Sequence, residues 1–302
     1  MKRVKALVLY SGGLDSILAT KLLQKQGIKV TTLSFKSYFF NSGPAQRVID
    51  FSEEHLKMVK KPKYGYGKNM NPCVDCHILM LKKAKEIMLK EKFDFVATGE
   101  VLWERPMSQN PKALRIVEEE SSLKGYLLRP LSARVLPETI PEKMGWLERK
   151  KLLYISGRSR KKQLELVKKW KIKRYSTPAG GCLLTDPGFG KRLKELFKKY
   201  SKCNGNDIEL LKLGRHFWEN KAKIIVGRNK EENKKIKKLS RQGDILIEMK
   251  NYPGPLTLVR NYKKTKIPQK IIKKAQNLTQ HYSTKARALT KEVKFAIIKQ
   301  RM

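Results

Sequence analysis

The chain has 302 residues, of which 68 are Lys or Arg and 27 are Asp or Glu, so its formal net charge is +41. A charge this large indicates a nucleic acid or another anionic surface as partner, although a generally lysine-rich composition accounts for part of it. Hydrophobic residues make up 40% of the chain, which is enough for a packed core. The sequence has no apolar stretch of about 18 residues, so no membrane span is predicted.

The N-terminus predicts a cytoplasmic protein. Residues 1–5 lead directly into the first predicted strand, without the apolar region and cleavage site of a signal peptide. Structural disulfides are rare in the cytoplasm. The four cysteines of the chain therefore need another explanation.

Strands and helices alternate in the predicted order of the first 200 residues. Strands are expected at 4–10, 28–35 and 93–98, with a short one at Leu127 and Leu128, and helices are expected at 14–25, 43–59, 78–89, 141–155, 159–170 and 191–200. The intervening residues 60–71 and 177–186 read as loops. This order predicts an α/β fold, a Rossmann-like parallel sheet whose chemistry lies in the loops at the carboxyl ends of the strands.

The pattern changes at the polar loop of residues 201–206, which is the expected domain boundary. Short apolar runs at 223–227 and 244–247 then indicate a smaller α+β domain. We therefore expect one domain over residues 1–200 and a basic, RNA-binding domain and tail over residues 205–302. From residue 201 onward there are 26 Lys or Arg against 8 Asp or Glu, so both domains are basic.

One motif at the first strand predicts a polyphosphate site. A buried apolar run is followed by a glycine turn and then by an apolar-periodic helix, and the turn contains Ser11, Gly12, Gly13, Leu14, Asp15 and Ser16. We call residues 11–16 the phosphate loop. Its backbone N–H groups and the helix dipole attract anions, and the glycines allow a phosphate to come close. The serine hydroxyls can donate hydrogen bonds, and Asp15 can hold a metal-bound water. The alternative is an ordinary strand-to-helix turn.

The phosphate loop resembles the SGGxDS motif of the PP-loop ATP-pyrophosphatase superfamily, whose fold is of the adenine nucleotide alpha hydrolase type. It lacks the lysine of the GxxxxGK[ST] pattern. The resemblance implies that ATP and Mg²⁺ bind here and that Ser34 and Gly99 belong to the nucleotide site. It also implies a reaction in which an acceptor oxygen is adenylated, pyrophosphate leaves, and a nucleophile attacks the adenylated position.

Three cysteines form a second constellation. Cys73 and Cys76 open a predicted helix as a Cys-x-x-Cys pair, and Cys182 follows Gly180 and Gly181 in a later loop. The helix N-terminus predicts a lowered thiol pKa for the pair. Both loops can reach the carboxyl edge of the sheet.

Several chemistries fit these three thiols. A 4Fe–4S cluster held by Cys73, Cys76 and Cys182 leaves one iron open to an exogenous ligand. A zinc ion requires a fourth ligand such as His77 or Cys203. Without any metal, the cysteines could carry a persulfide and then close a disulfide. The remaining alternative is that they are inert core residues.

The order of phosphate loop, Pro-Cys-x-x-Cys and Gly-Gly-Cys resembles the tRNA-thiolating branch of this superfamily, over residues 1 to about 195. The resemblance implies catalytic roles for Asp15, Cys73, Cys76 and Cys182, the last three as cluster ligands or persulfide carriers. Residues 97–100 resemble the family's ATGH strand end, but Glu100 stands where the family has histidine, so its role is open. The chain has neither a recognisable THUMP-type RNA module nor flanking zinc ribbons.

The C-terminal part is similar to a small RNA-binding domain of ribosome-quality-control factors. Cationic and aromatic residues lie there between two glycine turns, and those expected to contact RNA are Arg215, His216, Phe217 and Arg228. Such residues suit phosphate contact and base stacking. The alternative is a solvated basic face with buried aromatic residues.

These features predict an ATP-dependent tRNA sulfurtransferase that adenylates a base carbonyl oxygen and replaces it with sulfur. The expected partners are tRNA and a sulfur donor, either sulfide or a persulfide-carrying protein, and no membrane. Two alternatives are a PP-loop enzyme acting on a small molecule and a non-catalytic RNA-binding protein. The modified nucleoside, the role of Cys203 and whether the chain forms a homodimer are left open by the sequence.

Overall fold

The computed structural model describes residues 3–41, 43–175, 181–263, 265–289 and 293–300. Its internal contacts group the chain into two compact units, Met1–Asp186 and Pro187–Met302. The sequence pattern placed the boundary later, at residues 201–206, so the helix before that loop joins the second unit and not the first. The limits of independently folding domains stay a prediction.

The first unit is built on a parallel sheet of five strands, which confirms the expected Rossmann-like fold. The strands stand in the order β3-β2-β1-β4-β5. Their bounds are β1 Lys5–Leu9, β2 Lys29–Lys36, β3 Arg47–Asp50, β4 Phe95–Ala97 and β5 Leu127–Leu128. The chain therefore adds β2 and β3 on one side of β1 and then β4 and β5 on the other side.

Helices cover both faces of this sheet. Their bounds are α1 Leu14–Gln24, α2 Ser52–Lys60, α3 Cys73–Lys90, α4 Pro111–Glu120, α5 Ile140–Lys143 and α6 Lys161–Lys169. Successive strand residues point to opposite faces. Leu7 of β1 accordingly packs in the cluster that includes α3, whereas its neighbours Ala6 and Val8 pack in the cluster that includes α1.

Three sequence-based element predictions were wrong. The range 43–59, expected to be one helix, contains edge strand β3 before helix α2. The four residues of β3 are too few to show a period of two in the sequence. Helix α4 was missed because it starts inside a polar stretch, where Asn110 caps it. The helix expected at 141–155 is reduced to α5 and a 3-10 turn at Arg149–Lys151, since Gly145 adopts a φ of +65° that ends α5.

The second unit contains an antiparallel sheet, as expected for a small α+β domain. Its strands stand in the order β10-β8-β9-β7-β6. The bounds are α7 Pro187–Lys199, α8 Gly205–Leu211, β6 Arg215–Glu219, β7 Ala222–Val226, α9 Lys230–Leu239, β8 Ile245–Met249, β9 Thr257–Asn261, α10 Gln269–His281 and β10 Phe295–Lys299. Helix α10 packs on one face of the sheet, and α8 and α9 pack on the other.

A buried ion network holds the second unit together. The guanidinium of Arg260 in β9 is 1% exposed and donates to Asp207 of α8 at 2.8 Å and to Asp244, before β8, at 2.7 Å. It also donates to the Leu239 carbonyl oxygen at the end of α9, at 3.1 Å. One side chain thus joins two helices to two strands. Such a charge is tolerated in a core only because its donors are paired.

Replacing Arg260 should therefore destabilise the second unit strongly. We expect Arg260→Gln to lower the free energy of unfolding by about 3–5 kcal/mol, since two buried carboxylates lose their counter-charge. Urea unfolding followed by circular dichroism measures this. Lys235→Gln, at an exposed position of α9, is the control and should change stability by less than about 0.5 kcal/mol. Equal stability of both variants would contradict the network's structural role.

Candidate functional site

The candidate site lies where the direction of strand addition reverses, between the carboxyl ends of β1 and β4. Ligands of open α/β sheets bind in the crevice at such a point. A cavity of about 450 Å³ opens there. Its wall includes the phosphate loop, the end of β2, the start of the loop after β4, and Gly181 and Cys182.

Close backbone contacts shape the phosphate loop. Gly12 has a φ of +74°, a conformation that glycine adopts without strain. A Cβ on Gly99, just after β4, would lie 2.6 Å from the Ser16 backbone nitrogen. A Cβ on Gly43 would lie 2.4 Å from the Ser11 carbonyl oxygen. Two other loops therefore press against the phosphate loop, and both positions exclude any side chain.

The start of α1 is open to an anion. Gly13 is the residue that precedes the helix and has no side chain to cap it, so the first-turn N–H groups can bind a ligand. The Ser16 hydroxyl donates to the Gly13 carbonyl oxygen at 2.8 Å, and the Ser11 hydroxyl accepts from the Gly13 N–H at 3.3 Å. Leu14 and Ser34 are buried in the cavity wall.

Asp15 faces a carboxylate and a guanidinium that the sequence did not predict. Arg160, directly before α6, donates to Asp15 Oδ2 at 2.9 Å and to Glu104 Oε1 at 3.1 Å. Burial and the charge of Asp15 together raise the pKa of Glu104. Asp15 Oδ1 is buried and has no hydrogen-bond partner in the described part of the chain. This free oxygen next to a second carboxylate suits a Mg²⁺ ion, which prefers carboxylate and phosphate oxygens.

Hydrogen bonds anchor the two cysteine loops to each other. Asn71 Nδ2 donates to Cys73 Sγ at 3.3 Å. Asn69, two residues earlier, donates through Nδ2 to the Thr185 carbonyl oxygen at 2.7 Å, and the Thr185 hydroxyl donates to the Cys182 carbonyl oxygen at 2.7 Å. The loop before α3 therefore holds the segment that follows Cys182. Gly180 lies outside the described residues.

The three predicted cysteines are near neighbours. Burial raises the pKa of the Cys76 thiol well above its usual value, and the charges of Cys182 and Cys73 raise it further. Burial and Cys73 likewise raise the pKa of Cys182 to about 11. The lowered thiol pKa expected from the helix N-terminus is therefore wrong for Cys76, because burial and neighbouring thiolates outweigh the helix dipole. Within the described ranges no three His, Cys, Asp or Glu side chains form a ready metal-ligand group.

Glu100 links the cysteine helix to the sheet. Its carboxylate is within 2.8 Å of His77 Nδ1 and accepts from Arg129 Nε at 3.0 Å. Burial alone would raise the pKa of Glu100, but the charges of Arg129 and His77 and their hydrogen bonds outweigh burial and hold the pKa well below its usual range. Arg129 follows β5 and is 3% exposed. The glutamate that departs from the family pattern is thus the centre of a buried ion network.

The predicted RNA-binding residues have different surroundings in the second unit. Arg228 is half exposed and paired with Glu232. Arg215 lies over the Tyr282 ring, with 4.5 Å between the guanidinium carbon and the ring centroid. Phe217 packs against the core cluster that includes α10, which favours a core role over base stacking.

His216 is the fourth of these residues. Burial, followed by the positive charge of Lys223, lowers the pKa of His216 to about 2, so the ring is neutral. Cys203 lies in the core of the same unit and is 2% exposed.

Sequence reasoning missed Gly43, Glu104 and Arg160. The contact between Arg160 and Asp15 spans 145 positions and has no local pattern. Gly43 could have been suspected from the Gly-Pro pair that follows the second strand, since such pairs mark constrained turns.

Two family models match separate parts of the chain. Residues 2–135 match the thiamine biosynthesis protein (ThiI) model, and residues 214–302 match the NFACT protein RNA binding domain. Both resemblances stated from the sequence are therefore confirmed. The described helices include none that is long and apolar enough to cross a membrane.

Two named proteins are similar in sequence to parts of the chain. The chain is 28% identical over 266 residues to the tRNA-specific 2-thiouridylase MnmA of Karelsulcia muelleri, covering 79% of this chain and 65% of that protein. It is 31% identical over 150 residues to a probable tRNA sulfurtransferase of Finegoldia magna, covering 45% of this chain and 38% of that protein. The chain thus spans less than two thirds of the length of each.

Two solved structures show weak similarity to this chain. One is the U34-tRNA thiolase NcsA from Methanococcus maripaludis with its 4Fe–4S cluster, at 16% identity and a TM-score of 0.31, covering 70% of this chain and 74% of that one. The other is a predicted subunit of tRNA methyltransferase from Methanocaldococcus jannaschii, at 16% identity and a TM-score of 0.34, covering 58% of this chain and 81% of that one.

The Glu100 network predicts a defined pH dependence. Because the pKa of Glu100 is depressed in the folded state, its charge stabilises the fold above the usual glutamate pKa, near 4.5, and this contribution is lost as the pH falls below that value. Glu100→Gln should cost up to about 3 kcal/mol of unfolding free energy at pH 7, and the difference from wild type should shrink below about pH 4.5. Urea titrations between pH 3 and pH 8 measure this.

Glu119→Gln, at an exposed position of α4, is the control and should show no such pH dependence. A deficit in Glu100→Gln that stays constant down to pH 3 would contradict the depressed pKa.

Proposed function

We propose that this chain is an ATP-dependent tRNA sulfurtransferase. The single observation that carries the proposal is the cavity at the sheet switch point, whose wall contains both the phosphate loop and Cys182. A thiolation enzyme needs the adenylating group and the sulfur carrier within reach of one base. The match of residues 2–135 to the ThiI model and the names of the relatives support the same reaction class.

The phosphate loop binds the triphosphate of ATP in this proposal. The first-turn N–H groups of α1 and the hydroxyls of Ser11 and Ser16 donate to phosphate oxygens, with Gly12 and Gly13 giving the close approach. Asp15, through its unpartnered Oδ1, and Glu104 would hold Mg²⁺. The ion, when bound, neutralises charge on the leaving pyrophosphate.

Arg160 lies in the cavity wall, where Asp15 and Glu104 hold its guanidinium. From this position the guanidinium can contact phosphate oxygens in a bidentate manner. The Arg160 guanidinium would stabilise the negative charge that develops on the leaving pyrophosphate.

The chemistry has two steps. The carbonyl oxygen of the target base attacks the α-phosphorus of ATP, the bond to the β-phosphate oxygen breaks, and pyrophosphate leaves. Sulfur then attacks the adenylated carbon, the carbon–oxygen bond breaks, and AMP leaves with the former carbonyl oxygen. The target base must be unpaired or flipped out of its helix to reach the cavity.

In this proposal Cys73, Cys76 and Cys182 hold or carry the sulfur atom that is transferred to the base. Three neighbouring thiols are the donor set of a 4Fe–4S cluster with one open iron, and these residues would hold it. Such a cluster, when bound, binds and delivers an exogenous sulfur atom. Zinc would need a fourth ligand; the Nδ1 atom of His77 contacts Glu100, which leaves Nε2 as the ring nitrogen for that role.

The persulfide route uses the same cysteines without metal. A persulfide-carrying protein transfers its outer sulfur to one cysteine thiolate, that sulfur attacks the adenylated carbon, and a second cysteine thiolate breaks the S–S bond, which leaves sulfur on the base and a disulfide for a thiol reductant to reopen. Sulfide is the donor for the cluster route.

The basic second unit binds tRNA in this proposal. Residues 214–302 match an RNA-binding domain model, and α9 and α10 expose lysines on opposite sides of its sheet. Contacts from these lysines to phosphates give affinity without sequence preference, so binding should weaken steeply with salt.

The proposed role of Arg160 predicts a loss of adenylation. Arg160→Gln should slow ATP-dependent pyrophosphate release by about a hundredfold or more, because a donor aimed at developing charge is removed. Arg160→Lys should recover part of the rate. Pyrophosphate release at saturating tRNA, with kcat and KM for ATP determined separately, measures this.

Arg158→Gln removes an exposed arginine of the same segment and is the matched control. A wild-type kcat in Arg160→Gln would end the assignment.

The cysteines predict the outcome of the thiolation assay. Purified protein incubated with ATP, Mg²⁺, a sulfur donor and unthiolated tRNA should produce AMP, pyrophosphate and a thionucleoside detectable by mass spectrometry. Cys73→Ser, Cys76→Ser and Cys182→Ser should each abolish the thionucleoside, whereas Cys203→Ala should not. Anaerobically prepared wild type should hold about four irons, and each of the three serine variants should lose them.

Two results would redirect the proposal. Iron-free protein that is fully active with a persulfide donor would favour the persulfide route. Wild-type protein that releases pyrophosphate only with a small-molecule acceptor, and never thiolates tRNA, would contradict the proposed substrate.

A further inference from the structure

An exposed tyrosine of the first unit stands between two cations. Tyr154 is 52% exposed. Lys162 Nζ, in α6, lies 3.8 Å from the centroid of its ring, and the guanidinium carbon of Arg134 lies 5.2 Å from the same centroid. Both cationic residues are themselves exposed. We call Tyr154, Arg134 and Lys162 the tyrosine platform.

The backbone around Tyr154 is rigidly held. The Leu153 N–H donates to the Pro130 carbonyl oxygen at 3.0 Å, and the Ile155 N–H donates to the Leu131 carbonyl oxygen at 2.9 Å. Ile155 is 3% exposed and packs in a core cluster. Because adjacent residues of an extended segment point in opposite directions, burial of Ile155 sends Tyr154 outward. An exposed ring on a fixed backbone loses little entropy when a ligand stacks on it.

The same segment leads into the candidate site. Two residues after Tyr154, Ser156 forms a β-bridge with Leu102, and the Gly157 N–H donates to the Leu102 carbonyl oxygen at 2.7 Å. Leu102 lies two residues before Glu104, and Arg160 follows Gly157 by three. Glu104 and Arg160 both line the cavity. The tyrosine platform is thus joined to the cavity wall by a short, hydrogen-bonded stretch of chain.

We propose that the tyrosine platform binds an unpaired nucleotide of the RNA substrate, next to the base that enters the cavity. This inference rests on the proposed function, since it takes RNA as the substrate. The tyrosine ring offers a stacking face that every base can use, and the cationic groups of Arg134 and Lys162, which lie beside the same ring, can bind phosphates next to that base. While no RNA is bound, the two cations lie against the electron-rich ring.

A purely structural role of the tyrosine platform predicts different experimental results. If the cation–ring contacts only fasten α6 to the turn that contains Arg134, the platform should affect stability and leave RNA affinity unchanged. If the platform binds a nucleotide, the aromatic ring and the two charges should act on RNA binding in separable ways. Stacking is insensitive to salt, whereas each phosphate contact adds to the salt dependence.

The test measures the Kd of full-length variants for tRNA and for an unstructured oligonucleotide at several salt concentrations. Tyr154→Leu should raise Kd about fivefold to a hundredfold with the salt slope unchanged, because one stacked base is lost. Tyr154→Phe should bind like wild type, since the ring remains. Lys162→Gln and Arg134→Gln should each lower the log–log salt slope by about one. Tyr126→Leu, at another exposed tyrosine of the first unit, is the control.

Unchanged affinity of folded Tyr154→Leu would overturn the proposal. If that variant does not fold, the double variant Arg134→Gln/Lys162→Gln keeps the ring and decides the question, since an unchanged affinity and salt slope would overturn it equally. The readout is RNA binding and does not require sulfur transfer. A chain that loses RNA affinity in Tyr154→Leu but never thiolates tRNA would support the tyrosine platform and refute the proposed function.

Discussion

The close approach of three loops at the end of β1 is the constraint on which the site depends. Gly99 and Gly43 both press against the phosphate loop at distances that leave no room for a Cβ. The first contact ties the loop after β4 to the start of α1, and the second ties the segment before β3 to Ser11. The phosphate loop is therefore held from both sides of the sheet switch point. Packing against these two loops fixes the shape of the phosphate loop, which is the kind of preorganisation that an anion site requires.

Two networks of paired charges lie in the described part of the first unit, one around Glu100 and one around Arg160. Glu100 satisfies Arg129 and His77 at once, and His77 follows Cys76 directly on α3. Position and orientation of the cysteine helix are thereby fixed relative to β4 by an ion network and not by apolar packing alone. A similar principle governs Asp15 and Glu104, whose like charges are held together by Arg160. Both networks border the cavity, since Glu104 and Arg160 line it and so do Glu100 and His77.

Much of this architecture follows from local sequence, and the rest could not. The phosphate loop has a short pattern in which every residue lies at a strand end or helix start, so it was predicted with its flanking elements. The alternation of strands and helices likewise predicted the parallel sheet. Edge strand β3 has four residues with only partial burial, so no period could reveal it. Arg160 reaches Asp15 because α6 packs beside α1. A tertiary contact of this kind produces no recognisable pattern in the local sequence. The lowered pKa expected for Cys76 was wrong because thiol acidity depends on burial, which a Cys-x-x-Cys pattern does not report.

Glu100 stands where the resemblance implies a histidine, and its contacts show what a carboxylate does at this position. The guanidinium of Arg129 is 3% exposed and has two carboxylate partners, Glu100 and the less buried Glu118. Glu100 also lies within 2.8 Å of Nδ1 of His77, which follows Cys76 on α3. One carboxylate therefore connects the end of β4 both to Arg129 and to the cysteine helix. Glu100 and His77 both line the cavity. A change of residue 100 would therefore alter the cavity wall as well as the contacts that orient Arg129 and the cysteine helix.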